Sequence, residues 1–129
     1  MNTEAPAILV ALEASGAGAA IRQSIWIYPA ANVLHVVGLA VFFAAVAVLD
    51  LRLLGAFAAT EPADVVPAAQ RWAMAGFFVQ LASGLVLFTA EASHVALNPV
   101  FQWKAALIVI GLANAVVLGR MAAREAYLL

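Results

Sequence analysis

Three long apolar segments, separated by short polar breaks, organise this chain. The first covers residues 25–51 and carries no Asp, Glu, Lys or Arg between Gln23 and Leu49. The other two cover residues 72–92 and 99–120. A helix that crosses about 30 Å of hydrocarbon needs about 20 apolar residues, so each segment predicts a transmembrane helix.

Residues 1–22 form a weaker apolar segment, with Glu13 at its middle and Gly16 and Gly18 beyond it. Such a segment is short for a span, and it predicts a helix that lies along the interface or packs against the bundle. A fourth, poorly formed spanning helix is the alternative. The predicted fold class is therefore all-α: one integral membrane helical bundle over residues 1–129, with three transmembrane helices and an N-terminal interfacial helix.

The composition agrees with a chain that is embedded in the lipid bilayer. The residues are 67% hydrophobic and 10% charged, and the mean hydropathy of +1.04 lies outside the range of soluble domains. The net charge is -1 and there is no run of Lys or Arg, so we expect no nucleic-acid partner. The absence of cysteine excludes disulfides, thiolate metal sites, iron–sulfur clusters and covalently attached haem.

Positive charge predicts the orientation, because Lys and Arg are retained on the cytoplasmic side of a membrane. With three spans, one side carries four arginines and the other carries two cations; the larger group is Arg52, Arg71, Arg120 and Arg124. Arg22 and Lys104 form the smaller group. The C-terminus is therefore predicted to be cytoplasmic, and His35 is predicted to lie in the outer half of the membrane.

His35 is the candidate for chemistry, because an ionisable ring within hydrocarbon is costly and marks a ligand, a proton relay or a polar pocket. At about 100° per residue it shares a helix face with Asn32 and Gly38. Haem b held without thioethers needs one or two neutral imidazoles in an apolar slot. Asn32 or a backbone carbonyl could fix the second ring nitrogen, and Gly38 leaves space where a flat cofactor or a neighbouring backbone could approach closely. The alternatives are an interhelical hydrogen bond, proton transfer or metal binding.

Two further residues belong to this candidate site. His94 could supply a second metal ligand, although a second copy of His35 or an open iron is equally allowed, and a solvated loop histidine is the alternative. Lys104 could attract a porphyrin propionate or pair with Glu91. Its alternative is a side chain that extends to the interface.

Small residues recur at four-residue spacing on two of the predicted helices, and this spacing permits close helix crossings. They are Gly76 and Gly84 around Gln80, and Gly111, Ala115 and Gly119. Three spans enclose little interior, so we expect a homo-oligomer or a subunit of a larger membrane complex.

The sequence also resembles an uncharacterised family of small bacterial integral membrane proteins. The matching runs are Trp26-Ile27-Tyr28-Pro29, His35-Val36-Val37-Gly38-Leu39, Asp50-Leu51-Arg52-Leu53-Leu54-Gly55, Arg71-Trp72, Ser83-Gly84, Leu87-Phe88 and Asn98-Pro99-Val100-Phe101 with Lys104. More distantly, a histidine early in the first span and a lysine opening a later span are similar to HemJ-type protoporphyrinogen oxidases and CopD-like membrane domains. This resemblance implies that His35 is a haem b ligand and Lys104 a functional lysine.

These observations predict a small haem b-binding protein of the bacterial inner membrane with an electron-transfer or related redox role. The alternative is a non-catalytic structural or accessory subunit without a cofactor. If the chain is an enzyme, we expect a porphyrinogen or quinone oxidoreductase.

Overall fold

The computed structural model describes residues 5–56, 59 and 62–128, and these are almost entirely helical. The helices are α1 (Ala7–Glu13), α2 (Gly16–Gln23), α3 (Ile27–Leu53), α4 (Pro62–Ala90), α5 (Ala92–Leu97) and α6 (Pro99–Leu128). No β-strand occurs in the described residues, so the predicted all-α class is confirmed.

Three of the helices are long and apolar enough to cross a membrane. The candidate spans are Ile27–Leu53 in α3, Asp64–Ala90 in α4 and Pro99–Met121 in α6. Their number agrees with the prediction, and a multi-pass bundle in a lipid bilayer follows from their length and apolar composition.

Helix α4 begins at Pro62, well before the predicted start near Trp72. Proline suits the first turn of a helix, because the backbone N–H groups of that turn have no partner within the helix and proline lacks this group. Asp64 adds a favourable negative charge to the same turn. The helix continues through Pro67, whose carbonyl accepts from Nε of Arg71 at 3.4 Å. The polar residues before the span therefore extend the helix.

The N-terminal segment forms two short helices, where the sequence predicted one. Ser15 separates them and caps α2, because its Oγ accepts from the backbone N–H of Gly18 at 3.2 Å. A Cβ at position 18 would collide with the backbone oxygen of Glu13, so the sharp turn requires glycine.

Glycines make the closest contact between α3 and α4. A Cβ at Gly76 would lie 2.7 Å from the backbone nitrogen of Phe42 and 3.0 Å from the oxygen of Gly38. A Cβ at Gly38 would lie 3.2 Å from the oxygen of Gly76. Small residues allow this close backbone approach, which is a main packing device in membranes. Of the two alternatives predicted for Gly38, a cofactor or a neighbouring backbone, the structure shows the second, since Gly38 leaves space for α4.

Helices α1 and α2 pack where α3 begins, α4 ends and α6 begins, which we call the α5 end of the bundle. Arg22 of α2 donates from one guanidinium nitrogen to the backbone oxygens of Glu13, at 2.7 Å, and Ala90, at 2.6 Å. The Ser93 hydroxyl donates to the Glu13 carboxylate. Ala90 and Ala92 are completely buried beneath these contacts. The N-terminal helices are therefore fastened to the junction of α4 and α5.

Helix α6 stands apart from the other two spans. No described Cα of α6 lies within 8 Å of a described Cα of α3 or α4. Its apolar side chains from Leu107 to Met121 are largely exposed, which suits lipid-facing positions. The contact between α6 and the rest of the bundle is made near its start, through α5, Phe101 and Lys104.

Candidate functional site

The imidazole of His35 packs against α4 near the α5 end. It contacts Ser83 and Gly84, which lie side by side on that helix. A Cβ at Gly84 would lie 3.2 Å from Cε1 of His35, closer than most side chains approach. The absence of a side chain at position 84 therefore lets the ring lie against the helix.

Ser83 determines which nitrogen of His35 carries the proton. Its Oγ is 2.9 Å from Nδ1 of His35 and 2.6 Å from the carbonyl oxygen of Val79. A hydroxyl has one proton, and the carbonyl can only accept, so the Ser83 proton is donated to Val79. The Ser83 oxygen then accepts from Nδ1–H, which leaves the lone pair of the neutral ring on Nε2. Ser83 is 5% exposed, so water does not compete strongly for this bond.

Lys104 of α6 approaches that lone pair, with Nζ 3.4 Å from Nε2 of His35. An ammonium has donors and no acceptor, so this contact requires an unprotonated Nε2. The same tautomer thus satisfies both neighbours of the ring. One hydrogen-bonded series joins three helices, from Lys104 through His35 and Ser83 to the backbone of Val79.

A cavity of about 250 Å³ lies beside the imidazole, between α3, α4, α5 and α6. Its lining residues are Tyr28, Asn32, His35, Gly84, Leu87, Phe88, Glu91, Val95, Phe101 and Lys104. The rings of Phe88 and Phe101 stack with centroids 5.7 Å apart. The Tyr28 hydroxyl is 3.5 Å from the Glu91 carboxylate to which it donates. Apolar walls with a few polar groups are typical of a small-molecule site.

The cavity brings together three of the five residues that the sequence singled out. His35, Asn32 and Lys104 line it, whereas Gly38 lies at the crossing of α3 and α4. His94 is exposed on α5 and is absent from the cavity wall. Of the partners expected for the second ring nitrogen, Asn32 is replaced by Ser83, whose hydroxyl lies at Nδ1, while the backbone of Gln80 also hydrogen-bonds the ring.

Ser83 and Gly84 were not among the predicted site residues. Gly84 was interpreted as a packing residue in the four-residue series with Gly76 and Gln80, and Ser83 carried no signal of its own beyond its place in the family motif. A serine beside a glycine in a span, on a helix facing the half-buried histidine, is the pattern that could have identified them.

A second and larger cavity, of about 420 Å³, lies between α3 and α4 away from His35. Its lining is entirely apolar: Val41, Ala44, Ala45, Val48, Val65, Ala68, Ala69 and Trp72. Apart from the indole N–H of Trp72, it offers no titratable or hydrogen-bonding side chain, so we assign it no chemistry.

The residues around His35 fit haem b with one protein ligand. Nε2 carries a lone pair, Nδ1–H donates to a fixed acceptor, and Lys104 is a cation that suits a propionate. Among the described residues there is no group of three or more His, Cys, Asp or Glu that could hold a bare metal ion. The cavity is smaller than most ligand pockets, which are about 300–1,000 Å³. Beyond Lys104, α6 is not packed on α3 or α4, so the cavity is open on that side.

Comparison of the chain with protein-family models, curated proteins and solved structures found no match. The site is therefore interpreted from its own geometry.

Proposed function

We propose that this chain is a small membrane protein that binds haem b through Nε2 of His35 and serves electron transfer or a related redox role. The observation that carries the proposal is the orientation of the imidazole. Its Nδ1–H is held by the buried Ser83, and its remaining lone pair is directed to the cavity side, where Lys104 lies. Metal-binding histidines commonly have their second nitrogen fixed in this way. Bound haem would supply one-electron chemistry at its iron.

The other cavity residues support the same ligand. Lys104 lies near the start of α6, where its ammonium can bind a carboxylate, and the apolar walls suit a porphyrin ring. His35 is the one histidine in the cavity wall, so one chain would contribute one histidine to the iron. We propose that the iron would be held by His35 alone or also by His35 of a neighbouring copy.

An absorption spectrum tests this proposal. The protein is produced with haem supplied, purified in detergent and compared with His35→Ala and His94→Gln. The chain has two histidines, so these variants separate the proposed ligand from the other candidate. We expect a Soret band in the parent protein and in His94→Gln, and its loss in His35→Ala. A folded, colourless parent protein after reconstitution with haem would contradict haem binding.

A second candidate function is a structural subunit without a cofactor, in which His35 only connects the spans. The contact between Lys104 and His35 favours it, because both ring nitrogens already have partners. Under this proposal His35→Ala would lower the unfolding free energy of a colourless protein by about 1 kcal/mol, as interhelical hydrogen bonds in membranes do. Unfolding measured alongside the spectrum therefore separates the two candidates.

We also propose that the chain lies in the bacterial inner membrane with its C-terminus in the cytoplasm. The four arginines predicted on one side, against two cations on the other, support this orientation. Assembly as a homo-oligomer or within a larger membrane complex belongs to the same proposal. The wide exposure of the apolar side chains of α6 supports it.

A further inference from the structure

We infer that Lys104 selects the ligand of this site. Its ammonium covers Nε2 of His35, and it moves away readily only when the ligand carries an anionic group. The inference rests on the proposed function for the identity of the ligand. It assigns to Lys104 a specificity role that goes beyond attraction of a propionate.

The first step of the argument is that Nε2 has one lone pair. Lys104 donates to it at 3.4 Å, and an iron atom would need the same electrons. Ser83 prevents the ring from offering Nδ1 in place of Nε2, since Nδ1 carries the proton. Lys104 must therefore release Nε2 before any Lewis acid binds there.

The second step is that Lys104 lacks a carboxylate partner among the described residues. Its ammonium contacts the neutral His35 ring, while Glu91 in the same cavity accepts from the Tyr28 hydroxyl. Lys104 is also the single lysine of the chain. A charge-assisted bond to a carboxylate is stronger than a long bond to a neutral imidazole. A ligand carboxylate would thus draw the ammonium away from Nε2.

The two steps together predict the kind of ligand. A molecule that joins a Lewis-acid centre to a carboxylate gains a bond to Lys104 and a bond to Nε2. A molecule with the same centre and no anionic group must displace the ammonium without compensation. Haem b and its dimethyl ester differ in this respect and share the iron and the ring.

The experiment titrates haem b and haem dimethyl ester into the apoprotein in detergent, for the parent chain and for Lys104→Met. We expect the parent to bind the acid at least about tenfold more tightly, the effect of one charge-assisted bond. Lys104→Met should lose this preference, and Lys104→Arg should retain it. Gln102→Met, on the same turn of α6 and outside the cavity wall, is the matched control. Equal affinities of the parent chain for the acid and the ester would overturn the inference.

A second measurement needs no haem. Diethyl pyrocarbonate acylates an unprotonated imidazole nitrogen, and in a His94→Gln background His35 is the sole histidine. We expect Lys104→Met to raise the acylation rate of His35 about fivefold, measured by peptide mass spectrometry, because one hydrogen bond of about 1 kcal/mol is removed. An unchanged acylation rate of His35 in folded Lys104→Met would overturn the inference that Lys104 covers Nε2. Faster acylation with no haem binding in any chain would reject haem as the ligand and support the covering.

Discussion

At the residue scale, the chemistry of His35 depends on Ser83, whose hydroxyl already donates a hydrogen bond to a backbone carbonyl. Because Ser83 donates to Val79, its oxygen is left to accept from Nδ1, and the ring presents Nε2 to the cavity. The nitrogen that would bind the proposed ligand is thus selected by a neighbour that lies outside the cavity wall. In metal-binding histidines, the hydrogen-bond partner of the ring nitrogen that does not bind the metal commonly orients the ring in this way.

Replacement of Ser83 by alanine should change the protonation pattern of the ring. The Nδ1–H would lose its acceptor, so in a Lys104→Met background, where no ammonium holds Nε2 unprotonated, we expect Nε2-protonated imidazole to appear and the unfolding free energy to fall by about 1 kcal/mol. Nitrogen-15 NMR of histidine-labelled His94→Gln protein in detergent reports the tautomer. Thr89→Ala is the control, since its hydroxyl donates to the Leu85 carbonyl and has no side-chain partner among the described residues. An unchanged nitrogen spectrum on Ser83→Ala replacement in that background would contradict the assignment.

The sequence was sufficient to identify His35, Asn32 and Lys104, because an ionisable or amide group in an apolar span stands out. It was insufficient for Ser83 and Gly84. Their role depends on the register of α3 against α4, and a single apolar sequence permits many registers. Only the packed pair of helices places Ser83 opposite Nδ1.

At the element scale, the crossing of α3 and α4 determines the register of the two helices. The two helices meet backbone to backbone at Gly38 and Gly76, and this contact aligns Ser83 with His35 farther along the same interface. The four-residue spacing of small residues predicted a close crossing without identifying its partner. Gly38 was accordingly left open between a cofactor and a neighbouring backbone, and it serves packing.

Gly76→Ala should separate these two helices. The new Cβ would lie 2.7 Å from the backbone nitrogen of Phe42, and a backbone atom cannot turn aside as a flexible side chain can. We expect a loss of about 1–3 kcal/mol in unfolding free energy, measured by titration from mild detergent into SDS. Gly119→Ala is the matched control, because a Cβ there meets nothing within 4 Å. Equal stability of the two variants would show that the crossing is not tight.

The long helices were easier to predict than the short ones, for a physical reason. Hydrocarbon thickness imposes a length on a span, so the positions of α3 and α6 follow closely from the apolar pattern. No such length applies to α1 and α2. Their separation depends on Ser15 and Gly18, and their docking depends on Arg22 reaching the carbonyl of Ala90 from a distant part of the chain.

At the scale of the whole molecule, three spans place the α5 end and the connection from α3 to α4 on opposite sides of the membrane. The sequence predicts the number of crossings from hydropathy and the direction from arginine placement. The fold agrees with the number. The direction stays a prediction, because the helices pack identically whichever side faces the cytoplasm.

Single cysteines can measure the direction, since the chain contains none of its own. We expect Gln23→Cys to react with a membrane-impermeant maleimide in intact cells, and Ala59→Cys to react only after the cells are permeabilised. Both positions are exposed, so access through the membrane decides the result. Labelling of both from the same side would contradict a crossing by α3, and a reversed pattern would contradict the orientation alone.

The attachment of α6 at one end has a mechanical consequence. If this helix pivots about Pro99, Lys104 lies about 8 Å from the pivot and Met121 about 33 Å, at a rise of about 1.5 Å per residue. A tilt of about 10° would then carry Met121 sideways by about 6 Å and Lys104 by about 1 Å. Bilayers of different thickness could thus change the slope of α6 while the ammonium stays within reach of the imidazole.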